Sequence, residues 1–265
     1  MAERHQVVGI VNGVPRRAGW LERWGLTPRS ANLWIWAQTY QVPLLRLRSG
    51  KDPELVSFLE DLRPQALCVA NFPHLLPPAV FERWPTLNLH PSLLPRWRGP
   101  YPWFWMYHEQ ELQGGWTVHR VDAGEDTGPI LLQSTYEVPF GSTVSELADA
   151  VLEPGGALLA DALDGLGRLE ERPQPPGEYP RARKPGPRER FVEWREWPVR
   201  RVYHFLRGVC PLWVRELEVG PFLVPEFTGW DEVSSQLAPG RLGRAEGRRY
   251  VACRDGRVFF KTRLA

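Results

Sequence analysis

Between Leu87 and Pro100 the chain reads Leu-Asn-Leu-His-Pro-Ser-Leu-Leu-Pro-Arg-Trp-Arg-Gly-Pro, setting a carboxamide, Asn88, two residues before an imidazole, His90. Residues i and i+2 of a strand share a face, so these polar groups point the same way while Leu87 and Leu89 pack on the other side. Pro91 lacks an N–H and ends the ladder. A second stretch, Val121 to Ile130, places Asp122, Glu125 and Asp126 in a Gly-rich loop. Amide, imidazole and carboxylate are the types that bind a ligand and move its protons. Each stretch alone also has a structural reading: a polar pair can cap a strand, and Asp-Thr-Gly is ordinary turn chemistry.

Short apolar runs alternating with helical stretches surround these residues and predict parallel strands joined by crossover helices. Strands are expected at Gln6–Val11, Leu44–Leu47, Ala66–Ala70 and Thr86–His90, with helices at Ser30–Tyr40, Pro53–Leu62 and Pro77–Trp84. Such a doubly wound sheet forms its ligand crevice at the carboxyl ends of its strands, where His90 lies. A helix over Pro102–Glu109, strands over Gly115–Val121 and Ile130–Val138, and a long helix over Thr143–Leu163 follow, the last kinked or broken at Pro154. Trp103, Trp105 and Tyr107 read as core residues. Residues 1–170 are expected to form one domain, with the Pro/Gly-rich segment 171–187 an extended linker. Residues 188–265 then make a small domain: a helix over Pro198–Gly208, and strand-like runs at Leu212–Leu217, Phe222–Phe227, Arg249–Arg254 and Arg257–Thr262 that suggest a small β-barrel. Asp255–Gly256 is the expected two-residue hairpin turn.

The 43% apolar and 24% charged residues are those of a globular protein. Apolar runs stop well short of the roughly 20 residues that span a bilayer, so a cytoplasmic protein without membrane contact is expected. Cys68, Cys210 and Cys253 form no CxxC pair and suggest neither a disulfide framework nor a zinc site. Residues 1–180 hold 15 Lys+Arg against 21 Asp+Glu, net −6, and residues 181–265 hold 18 against 10, net +8. The basic C-terminal part is suited to a polyanionic partner or simply to a well-solvated Arg-rich surface.

Together the strings NLHPSLLPRWRG and GGWTVHRVDAGEDTGPIL resemble the two signatures of the 10-formyltetrahydrofolate-dependent formyltransferases, in particular the branch acting on methionyl-tRNA. The resemblance runs from about His5 to the C-terminus, where PGRLGRAEGRRYVACRDGRVFF is similar to the strands of an OB-like barrel. It implies a formyltransferase fold and a catalytic trio of Asn88, His90 and Asp126. An amine would attack the formyl carbon, Asn88 and His90 would offer N–H groups to the oxyanion, and Asp126 would orient His90 or a water and favour the imidazolium form. The donor would be 10-formyltetrahydrofolate, with no metal. Asn71, Phe72, Pro73, Leu75, Leu76 and Pro77, with Asp122 and Glu125, would line the folate pocket. Arg16 and Arg17 would meet the acceptor stem of initiator tRNA, with Ser92, Arg96 and Arg98 beside the acceptor and the Ser92 hydroxyl stabilising its turn. A monomer is expected.

The pattern departs from the family in places. Relatives begin with a further strand and helix, so the first strand–helix unit is expected to be missing here, which points to an upstream start, a rearranged sheet or a decayed paralogue. Gly99 is followed by Pro100-Tyr101-Pro102 rather than Ala-Ala-Pro. Alternatives therefore stand beside tRNA: N-formylation of a nucleotide-linked amino sugar, or a non-catalytic binding paralogue.

Overall fold

The structure, a computed structural model, describes residues 4–14, 28–210 and 223–264. Arg16, Arg17 and the expected strand Leu212–Leu217 lie outside them. In chain order the elements are β1 (Ile10–Gly13), α1 (Pro28–Thr39), β2 (Leu44–Leu47), α2 (Pro53–Leu62), β3 (Leu67–Ala70), α3 (Pro78–Phe81), β4 (Thr86–His90), α4 (Pro102–His108), β5 (Gln113–Arg120), β6 (Ile130–Glu137) and α5 (Val144–Asp164). After a 3-10 turn at Arg188–Arg190 come α6 (Val199–Val209), β7 (Leu223–Asp231), β8 (Leu242–Ala245), β9 (Arg248–Ala252) and β10 (Arg257–Leu264).

Contacts group the chain into two compact units rather than cutting it once. The first comprises Met1–Pro100, Trp116–Ser134 and Pro154–Tyr179. In it β1 and β2 pair in parallel, Ile10 against Leu44. A separate sheet runs β3-β4-β5-β6, parallel at β3/β4 and antiparallel at β4/β5. One apolar cluster serves both: Leu47, Leu55, Leu59 and Val80 are buried, with Val11, Leu45 and Leu67 packed on them. Helix α2 is set by local chemistry. The Asp52 side chain accepts the Glu54 N–H, Pro53 supplies a preset φ, and Arg63 closes the helix in the left-handed region at φ 48°. Pro154, expected to kink or break the long helix, sits inside an uninterrupted α5. Beside it Gly155 admits the buried Trp116 ring, which a Cβ would approach to 2.6 Å. Bulk that would push the helix away is therefore missing where Trp116 packs.

The second unit comprises Tyr101–Gly115, Thr135–Glu153 and Pro180–Ala265. Its core joins α4 to α6: Phe104 meets Phe205 edge-on at 5.7 Å and Tyr107 stacks on His204 at 4.7 Å. Gly208 makes this possible, since a Cβ there would lie 2.1 Å from the Tyr107 ring. The C-terminal strands pair as a four-stranded antiparallel sheet in the order β7-β10-β9-β8. β9 and β10 form the expected hairpin, Arg257 opposite Ala252, but the Cys253 N–H closes it on the Gly256 carbonyl at 2.8 Å, so its turn lies one residue earlier, at Arg254–Asp255; β8 and β9 are joined by Glu246–Gly247, with φ 50° and 75°. Both positive angles suit a type I′ hairpin. Asp255 also accepts the Val199 N–H at 2.8 Å, satisfying one of the free donors at the start of α6.

Candidate active site

Strand β4 carries Asn88 and His90 on one face, as their spacing requires, and register with β5 sets His119 opposite Asn88 and Thr117 opposite His90. The face is almost closed to solvent: His90, His119 and Thr117 are buried. Asp126 reaches it from the β5–β6 loop with its backbone in the left-handed region, φ 55°. Non-glycine residues adopt that region at a cost, and short polar Asp tolerates it better than most. Gly128 lets the loop turn back, because a Cβ there would lie 2.0 Å from the Arg120 carbonyl oxygen.

The hydrogen bonds fix protonation. His90 Nε2 lies 2.8 Å from the Trp97 carbonyl, which can only accept, so Nε2 carries a proton and Nδ1 faces Asp126 Oδ2 at 3.5 Å. His119 Nδ1 lies 2.7 Å from the Arg120 carbonyl and so donates, leaving Nε2 to accept from Asn88 Nδ2 at 3.0 Å. Asn88 Nδ2 also donates to Asp126 Oδ1 at 3.1 Å, and the Gly99 N–H donates to Oδ2 at 2.9 Å. Burial works to raise the Asp126 pKa, but the polar groups packed on the carboxyl, the Gly99 N–H among them, outweigh it and hold it down at about 2. Burial lowers the His90 pKa, only partly offset by Asp126 and the Trp97 carbonyl. At neutral pH the site therefore pairs a carboxylate with a neutral imidazole whose free lone pair faces it.

A hydroxyl hub shapes the loop after His90. Thr117 Oγ1 donates to the Ser92 carbonyl at 2.6 Å and accepts from Leu94 N and Gln133 Nε2 at 3.1 and 2.9 Å. The Ser92 hydroxyl donates to the Arg96 carbonyl at 2.8 Å, the turn-stabilising use expected of it. Trp97, in the left-handed region at φ 60°, is thereby turned so that its carbonyl meets His90. Arg98 gives Nε and Nη2 to Gln174 Oε1, while exposed Arg96 lies over the Trp97 ring at 5.4 Å.

Of the residues expected along the folate pocket, Phe72 and Leu76 pack on the apolar cluster, while Asn71, Pro73 and Leu75 are exposed and Pro77 is half-buried. Asp122 structures its own loop, accepting from Gly124 N and the Thr127 hydroxyl. Glu125 is half-buried and acts on the charge of His90. Sequence reasoning missed His119, Thr117, Gln133 and Gln174. Thr117 and His119 repeat the i, i+2 pattern of Asn88 and His90 and could have been found by it; Gln174 had no such signal. Among the described residues no cluster of three or more His, Cys, Asp and Glu could hold a metal ion, and no helix is long and apolar enough to cross a membrane.

A carboxamide, two imidazoles and a carboxylate are thus brought together at the end of β4 and in the β5–β6 loop. Residues 6–163 match the formyl transferase family, so the chain belongs to that family and is a formyltransferase. It is similar to the methionyl-tRNA formyltransferase of Anaeromyxobacter dehalogenans (strain 2CP-C), 36% identical over 269 residues that cover 98% of this chain and 84% of that protein. Among solved structures it resembles the methionyl-tRNA formyltransferase from Clostridium thermocellum, with TM-score 0.57, 15% identity and coverage of 98% of this chain and 100% of the other. It also resembles HypX from Aquifex aeolicus in complex with tetrahydrofolic acid, with TM-score 0.63, 18% identity and coverage of 97% and 44%. These two likenesses show the fold.

Proposed function

We propose that the protein transfers the formyl group of 10-formyltetrahydrofolate to the amino group of initiator methionyl-tRNA, with Asn88, His90 and Asp126 as the catalytic residues. The observation that carries the reading is His90, neutral, pinned through Nε2 to Trp97 and facing Asp126 through Nδ1. The folate supplies an activated one-carbon unit. A proton leaving the attacking amine can be taken at His90 Nδ1 and passed to N10 as its bond to the formyl carbon breaks, and the imidazolium formed in between would sit 3.5 Å from a carboxylate already charged. Both N–H groups of Asn88 are engaged, with Asp126 and His119, so one must be released to meet a developing oxyanion. The tRNA acceptor is supported by the 36% identical relative and by the basic C-terminal part.

The test is turnover of 10-formyltetrahydrofolate with initiator methionyl-tRNA and, separately, with a nucleotide-linked amino sugar. Formylation of the tRNA, unaffected by EDTA, is expected. Formylation of the sugar with the tRNA inert would replace the acceptor but keep the trio.

A further inference from the structure

Gln174 lies in a Pro-rich segment with no regular structure, yet its amide bridges both loops of the site. Nε2 donates to the carbonyls of Asp126 and Gly128, each at 2.8 Å, and Oε1 accepts Arg98 Nε at 2.9 Å and Nη2 at 2.6 Å. A carboxamide has two donors and two acceptor lone pairs, so all four are used. The amide orientation is fixed by its partners: flipped, it would set oxygen against two carbonyls and NH2 against a guanidinium, which has no acceptor. The segment is held in place from outside as well. Arg172 and Ile130 exchange backbone bonds at 2.8 and 2.9 Å, and Glu171 accepts Arg120 Nε at 2.8 Å.

We propose that Gln174 is a positioning residue for the transfer reaction, holding the left-handed Asp126 and the Trp97–Gly99 turn in register through its double-ended amide. The inference rests on the reading of Asp126 as catalytic. The physical need is specific. Asp126 occupies a backbone region that its neighbours must enforce, and its carboxylate has to meet Gly99 N and His90 Nδ1 together. Gln174 holds the peptide oxygen of Asp126 from behind and, through Arg98, the turn carrying Trp97 and Gly99 from the side. Releasing it would let the carboxylate and His90 drift apart without removing either.

The experiment compares Gln174→Ala and Gln174→Glu in the wild-type and Asp126→Asn backgrounds, measuring kcat, the KM for 10-formyltetrahydrofolate and thermal melting. Glu keeps a partner for Arg98 but sets a carboxylate against two carbonyls, so it isolates the two Nε2 bonds. Either variant in the wild-type background should lose about 10- to 100-fold in kcat, the scale of a misplaced catalytic group, with KM changed less than about threefold. In the Asp126→Asn background the same change should cost less than about threefold. Wild-type kcat in Gln174→Glu, or equal losses in both backgrounds, overturns the positioning role. Should Gln174→Ala fail to fold, the Glu variant decides alone. If Asp126→Asn by itself leaves turnover intact, the catalytic reading of Asp126 fails instead, whatever Gln174 does.

Discussion

His90 has two nitrogens with different tasks, and the separation of tasks sets its pH behaviour. Nε2 is tied to a backbone carbonyl and Nδ1 is the basic atom facing Asp126. Burial lowers the His90 pKa and Asp126 acts to raise it. The neutral ring therefore survives below the ordinary value of about 6.5, and the acidic limb of kcat against pH is expected below that value. Asp126→Asn removes the raising influence, so the limb should move to still lower pH while kcat falls by at least about 100-fold. An upward shift of the limb in that variant would show that His90 does not act as the base. Of this constellation, the Asn88–His90 pair was legible because a two-residue period fixes a strand face. Asp126 became legible only through the family resemblance, since Asp-Thr-Gly by itself is turn chemistry. Gln174 was illegible: a side chain that bonds main-chain oxygens from an aperiodic Pro-rich segment leaves no pattern in the sequence.

Elements were legible where one local rule governs them and misread where two compete. Pro53 and Asp52 mark α2 and it forms where expected. Pro154 argued for a break in α5, yet helical contacts continue through it, and the adjoining glycines answer to different constraints. Gly155 faces the Trp116 ring, whereas a Cβ on Gly156 would meet nothing within 4 Å. Ala gains up to about 1 kcal/mol over Gly in a helix, while overpacking a buried contact costs about 1–3 kcal/mol. Gly156→Ala should therefore raise stability in urea unfolding and Gly155→Ala should lower it; the same sign for both would refute the packing argument. Asp255–Gly256 marks the β9–β10 hairpin, which closes one residue earlier than its composition suggests, and the Asp255 side chain also meets the start of α6. On α6 itself, His204 is fully buried between Tyr107 and Phe140, accepts the Gly141 N–H at Nδ1, and has its pKa lowered by burial to about 4. Unfolded chains bind that proton near 6.5, so between pH 6.5 and 4 the unfolded state holds more protons and stability falls as pH falls, by up to roughly 3 kcal/mol from this group. His204→Leu should flatten that slope even if it lowers stability at neutral pH; an unchanged slope assigns the effect elsewhere.

At the scale of the whole molecule the net −6 before residue 180 and +8 after it make a charge division that no single pair explains. Part of the positive charge is neutralised locally: Arg257 pairs with Asp231 and Lys261 with Glu226 across β10 and β7. Arg244 and Arg249 differ. They face each other directly across β8 and β9, both are exposed, and neither has an ion pair among the described residues. Like charges placed opposite each other weaken a sheet, so a chain that keeps them gains nothing in folding. If the acceptor is tRNA, phosphates would relieve that repulsion and release counterions, and affinity would fall with salt by about 0.7–0.9 log unit per log unit for each phosphate neutralised. Replacing both arginines by Ala should therefore reduce the salt slope of tRNA binding by roughly 1.5 and weaken binding at low salt. Thermal stability should hold or rise, because the repulsion is gone, and the KM for 10-formyltetrahydrofolate should not change. The measurement is a salt titration of binding to initiator tRNA in wild type and in the double variant. A wild-type slope near zero would mean that phosphates do not anchor the acceptor, and the amino-sugar reading would then account better for the same site. A steep slope unaltered by the double variant would place the phosphate contacts on other basic residues of the chain.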